Sequence, residues 1–113
     1  PDQARRPGAV VNVTLYWQSA TKIGKDFTVF VHLLDANGDT RAQIDAPPRG
    51  GAYPTSIWDA GEIVRDDYAL ALPRDLAPGT YKIEIGWYDA ATGTRLKTVD
   101  RASQIVLVSI TIP

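Results

Sequence analysis

Apolar residues recur at every second position along most of this chain. From Val10 to Trp17, the residues Val11, Val13, Leu15 and Trp17 fall on one face. Asn12, Thr14 and Tyr16 fall on the other, which is the alternation of a half-buried strand. Asp26–Leu34 repeats it, with Phe27, Val29, Val31 and Leu33 opposite Thr28, Phe30, His32 and Leu34. The second row is partly apolar as well, which predicts a central strand. Asp35-Ala36-Asn37-Gly38-Asp39 then sets an Asn-Gly pair between two extended runs, a strong hairpin signal. Thr40–Asp45 returns as a shorter, more polar strand nearer an edge. Ile63–Leu72 carries Val64, Tyr68, Leu70 and Leu72 on one side, and Pro73 ends it. Thr80–Tyr88 points Tyr81, Ile83, Ile85 and Trp87 one way and Lys82, Glu84, Gly86 and Tyr88 the other. Thr92-Gly93 turns the chain into Arg95–Val99, and Gln104–Ile112 closes it with apolar residues on both faces.

Seven such strands, with no competing helical period, predict an all-β fold. The expected architecture is an immunoglobulin-like antiparallel β-sandwich, a single domain over residues 1–113. Thr80–Tyr88 and Asp26–Leu34 should be neighbours in one sheet, and Val10–Trp17 and Ile63–Leu72 should pair in the other. Trp17 and Trp87 then face the core from opposite sheets. Leu76-Ala77-Pro78-Gly79-Thr80-Tyr81 places a turn and a Tyr at the start of a buried strand. That is the pattern of a tyrosine corner, whose phenol caps backbone groups at one end of the sandwich.

The stretch from Ala46 to Glu62 breaks the alternation, with Pro47, Pro48, Gly50, Gly51, Pro54 and Gly61. A connection this long tends to be functional or to act as a lid. Tyr53 and Trp58 lie within it, where no strand period accounts for them. Two readings stand. The aromatics can tuck inward and close one end of the sandwich, or they can stack on a sugar ring while Arg49, Asp59 or Glu62 bind hydroxyls. Exposure of the Trp58 indole separates them. Asp66 shares a face with Val64, Tyr68 and Leu70, and an acid on a core face needs partners. It is expected to anchor the loop through an Arg or through loop amides. Asp67 points to the opposite face, so the pair cannot flank one substrate.

Composition narrows the chemistry. The 113 residues hold 12 Lys+Arg, 13 Asp+Glu, one His and no Cys, for a net charge of −1. Without Cys there is no disulfide, no thiolate nucleophile and no cysteine-ligated metal, and a single His excludes a two-His site within the chain. Near-neutral charge argues against nucleic acid as a partner. Asp35–Asp39 has its Gly at the wrong position for an EF-hand loop, and a looser calcium site would have to draw on Asp35, Asp39 or Asp89 from adjacent loops. His32 reads as a core or half-buried histidine, and a small hydrolase would need it beside Asp66 or a serine. Ser19, Ser56, Ser103 and Ser109 lack a Gly-x-Ser-x-Gly setting, and no phosphate-binding glycine loop is present. Asn12-Val13-Thr14 matches a glycosylation acceptor but lies within a strand. No catalytic residue, metal or cofactor is assigned. No run of apolar residues reaches the length of a membrane span, so direct membrane insertion is not expected. The start at Pro1-Asp2-Gln3, without Met, suggests a piece of a longer chain.

Four runs carry a resemblance: Thr28–Asp35, Ala52–Asp66, Pro78–Tyr81 and Gly86–Asp89. Together they resemble the β-sandwich domain found at the C-terminus of bacterial, Chloroflexi-type membrane glycosyltransferases of the dolichyl-phosphate-mannose–protein mannosyltransferase class. The similarity extends over roughly Gly8 to Ile112. It implies an extracytoplasmic, non-catalytic accessory domain whose partner is the membrane-embedded portion of its parent chain. The relatives usually have a further strand before the position of Val10, where this chain has only Pro1–Pro7, so an uncovered edge is expected. The rival expectation is a carbohydrate-binding module, with a glycan as partner, that uses Tyr53 and Trp58.

Overall fold

The computed structural model of the chain describes residues 3–97 and 104–113. Its strands are β1 (Gln3–Ala4), β2 (Val10–Gln18), β3 (Thr28–Leu34), β4 (Thr40–Ala46), β5 (Ile63–Ala71), β6 (Gly79–Tyr88) and β7 (Ile105–Ile112). They form two sheets. One has the order β1-β7-β6-β3-β4, antiparallel except for the two-residue β1, which runs parallel to β7. The other is β2 with β5, antiparallel over nine pairs from Val10↔Ala71 to Gln18↔Ile63. The fold is a β-sandwich, as the alternation predicts.

The core is made of the inward rows already visible in the sequence. Val11, Val13 and Leu15 of β2 and Val64, Tyr68 and Leu70 of β5 face Val29, Val31 and Leu33 of β3, Tyr81, Ile83 and Ile85 of β6, and Ile110 and Ile112 of β7. Each fully buried aliphatic side chain of this kind contributes about 1.5–3 kcal/mol, against about 1 kcal/mol net for a typical hydrogen bond. The apolar rows therefore set the register, because a slip of one residue would turn every one of them to solvent. β3 lies between β4 and β6, the central position expected from its two apolar faces.

Among the described residues one expected strand, Arg95–Val99, does not form, which leaves six strands of seven residues or more rather than about seven. Arg95 makes only a single bridge to Tyr88, and the described residues around it form no ladder. The physical reason lies in the turn before it. Asp89 accepts the amides of Ala91 and, through its backbone oxygen, of Thr92 and Gly93, which holds a tight loop that returns only Arg95 and Leu96 to β6. Thr98 and Val99, the rest of that expected strand, lie outside the described residues, as does Ser103.

Phe30 belongs to the outward row of β3 yet is only 1% exposed. It sits opposite Gly86, whose missing side chain leaves room for the ring. The Arg95 guanidinium lies 4.4 Å from the ring centroid, and His32 and Tyr88 flank it at 4.9 and 6.4 Å. The outer face thus has a small core of its own.

The corner before β6 is closed by Tyr81, whose hydroxyl donates to the Ala77 carbonyl at 2.7 Å. At the β3–β4 hairpin Gly38 adopts φ 83°, and the Asp35 carboxylate accepts the amides of Asn37 and Asp39.

Candidate functional site: an aromatic cleft beside a pinned loop

The connection between β4 and β5 is ordered by buried hydrogen bonds, built around two short 3-10 turns, Pro48–Gly51 and Thr55–Ile57. Asp66 is 1% exposed and lies between the sheets. Its Oδ1 accepts the Arg49 backbone N–H at 2.8 Å, and its Oδ2 accepts the Trp17 indole N–H at 3.1 Å and the Tyr68 hydroxyl. A loop amide is therefore the partner, and the Arg49 side chain stays exposed. Arg49 adopts φ 54°, the left-handed region that a non-glycine residue enters only at a cost. The charge-assisted bond to Asp66 offsets that cost. Burial, followed by the bond to Asp66, raises the Tyr68 hydroxyl far above its ordinary pKa, so it remains a donor at every physiological pH.

The far end of the loop is tied down as firmly. The Thr55 hydroxyl donates to the Lys25 carbonyl and accepts the Phe27 amide, and the Ser56 amide donates to Asp26. Tyr53, Trp58, Asp59 and Glu62 come together, but they bind one another. The Tyr53 hydroxyl donates to Glu62 at 2.7 Å, the Asp59 amide donates to Glu62 at 3.0 Å, and the Trp58 indole donates to the Tyr53 carbonyl at 2.8 Å. The Tyr53 hydroxyl, and then the Asp59 amide, hold Glu62 below its ordinary carboxylate range, and Glu62 in turn raises Tyr53.

Trp58 is 2% exposed. Tyr53 stacks near one face at 6.3 Å, and Trp87 meets it edge to face at 5.6 Å. The ring presents no open face to a sugar, so the platform expected from Tyr53 and Trp58 is not formed. The aromatics close the end of the sandwich instead.

Trp87 also meets Trp17 edge to face, at 4.6 Å. All three tryptophans of the chain thus line one cleft of about 570 Å³. Its floor is Leu15 and Ile85, and its outer wall is Ile105 and Leu107 of β7, which are 40% and 41% exposed. Tyr16, 66% exposed, and Leu96, 37% exposed, form the rim. Among the described residues of the lining Lys97 is the one that is charged. The volume and the mostly apolar wall are those of a binding cleft. Sequence reading placed Trp17 and Trp87 in the core and did not anticipate the opening beside them. The available signal was the apolar run Ile105-Val106-Leu107, which exceeds what one buried face requires.

His32 is elsewhere. It lies on the outer face of the larger sheet, 3.2 Å from Asp45, on the opposite side of that sheet from Asp66. The cluster a His32 hydrolase would need is not assembled. Asp35 and Asp89 point their carboxylates into their own turns, and Asp89 also binds Lys25. Among the described residues no group of three His, Asp or Glu side chains converges as a metal site would need. Nor, among them, is any helix long and apolar enough to cross a membrane. Comparison with family models, with curated proteins and with solved structures finds no match to this chain.

Proposed function

We propose that this chain is a non-catalytic interaction domain. In the setting its sequence resemblance implies, it is the extracytoplasmic accessory domain of a membrane glycosyltransferase, and its partner is the membrane-embedded part of that enzyme. The observation that carries the interaction reading is the aromatic cleft. It exposes Tyr16, Ile105, Leu107 and Leu96 together beside the three tryptophans, and a contiguous apolar opening of this kind on a small domain marks a contact surface. The glycosyltransferase setting rests on the resemblance of Ala52–Asp66 and its flanking runs.

The test is deletion of this domain from the open reading frame that contains it. The expected result is membrane spans upstream and a loss of glycosyl transfer, of folded enzyme, or of both. Full activity and full abundance without the domain would overturn the accessory role.

A further inference from the structure

The smaller sheet has two strands and the larger has five, and this mismatch leaves the cleft open. β5 packs nearest β4, while β2 meets β6 through the Trp17–Trp87 contact. The first half of β7 therefore lies uncovered beside the cleft, with Ile105 and Leu107 40% and 41% exposed, while Ile110 and Ile112 at its other end are buried in the core.

The outer edge of β2 is a hydrogen-bonding template. Leu72 donates its amide to Ala9, so the pair Ala9/Leu72 faces inward across the β2–β5 ladder. Antiparallel pairs alternate, so Val11, Val13, Leu15 and Trp17 bond to β5. The backbone N–H and C=O groups of Val10, Asn12, Thr14, Tyr16 and Gln18 point away from it. β2 has no second ladder partner, and no backbone bond ties these five residues to any other described segment. The strand runs nine residues, VVNVTLYWQ, without a charge, a Pro or a Gly. Proteins protect exposed edges with those very devices. The other strand of this sheet has Arg65 and Asp67, and the edge strand β4 has Arg41 and Asp45.

We propose that the β2 edge accepts one extended peptide strand from a partner protein. This rests on the interaction reading above and names the chemistry of the partner. Groups repeating at every second residue along a strand are matched in spacing only by another extended backbone. An added antiparallel strand would turn alternate side chains inward over Ile105 and Leu107, so its inward positions are apolar. Among the described lining residues Lys97 is charged and none is an acid, so a carboxylate at the adjacent end of the peptide complements it. A second copy pairing through the same edge would bring its own β2, VVNVTLYWQ, which has no carboxylate to meet Lys97.

The probe is a nine-residue peptide that alternates valine and threonine, with glutamate at either end in two versions, capped at both termini. Amide exchange of the isolated domain is followed by NMR with and without it. In the free domain the amides of Val11, Val13, Leu15 and Trp17 exchange slowly and those of Asn12, Thr14, Tyr16 and Gln18 exchange fast. Bound peptide slows the second set by about tenfold or more. N-methylation of one alternate set of peptide nitrogens abolishes binding, and N-methylation of the other set leaves it intact. Lys97→Glu weakens the better glutamate version by about two- to fivefold. Leu107→Asp, at an exposed position, weakens both versions while the fold stays intact. No binding at millimolar peptide, binding that leaves the even-numbered amides fast, or indifference to both methylation patterns would each overturn the proposal. So would protection of those amides in the free domain together with a doubled mass, which would place a second copy there. A failure here combined with lost transfer on domain deletion would remove strand addition and leave the accessory role standing.

Discussion

Asp66 shows how much one buried acid can determine. Its two oxygens take three donors from three places: the loop amide of Arg49, the indole of Trp17 on β2 and the hydroxyl of Tyr68 on its own strand. In Asp66→Asn one oxygen becomes an NH2 group facing a donor that cannot reverse, either the Arg49 amide or the Trp17 indole. We expect a loss of about 2–3 kcal/mol in urea unfolding, since charge-assisted bonds are replaced by a donor–donor conflict. An unchanged midpoint would show that the loop is held by other contacts. Tyr68→Phe removes one donor and leaves two, and should cost about 1 kcal/mol. The two changes should couple in a double-mutant cycle because they share an oxygen. Trp58→Ala, at a 2% exposed site, should cost about 3–5 kcal/mol by opening a cavity against Trp87.

At the scale of elements, the corner ahead of β6 offers a separate test. Tyr81→Phe keeps the buried ring and removes only the bond to Ala77, so a loss of about 1 kcal/mol in thermal or urea unfolding is expected. Most strands were legible from the sequence because each buries one face, and a period of two is then unavoidable. β2, β5 and β6 begin and end within one residue of where their alternation does. β1 left no trace, since two residues cannot show a period. Arg95–Val99 looked like a strand from its residue types, but the Asp89 turn decided how much chain returned to β6. The loop was legible as a loop, and Asp66 as its anchor by chemistry. The left-handed Arg49 that meets it was not legible, because Arg is not a residue that signals that conformation. The cleft was illegible for a different reason. An opening depends on how many strands cover a sheet, and no single strand's pattern records its neighbours.

At the scale of the whole molecule, three carboxylates among the described residues sit below their ordinary range. Glu62 is held by Tyr53, Asp67 first by the Thr14 hydroxyl and then by Arg65, and Asp89 first by Lys25 and then by the Ala91 amide. A carboxylate depressed in the folded state stabilises the fold above its ordinary value, and that stability is lost as pH falls through the folded value. The urea midpoint should therefore drop between about pH 5 and about pH 2. Asp89→Asn should lower the midpoint at neutral pH and flatten part of the acid slope, and an unchanged slope would exclude Asp89 as a contributor. The short β1 has a mechanical consequence. Gln3 and Ala4 run parallel to Ile110 and Thr111, and the Arg5 amide extends the patch by a further bond to Thr111 at 3.0 Å. Tension applied along the chain from its two ends would pull these segments past each other in opposite directions. The bonds of the clip would then bear the load together, in shear, rather than opening one after another like a zip. The smallest strand in the fold is the one such a pull must break first.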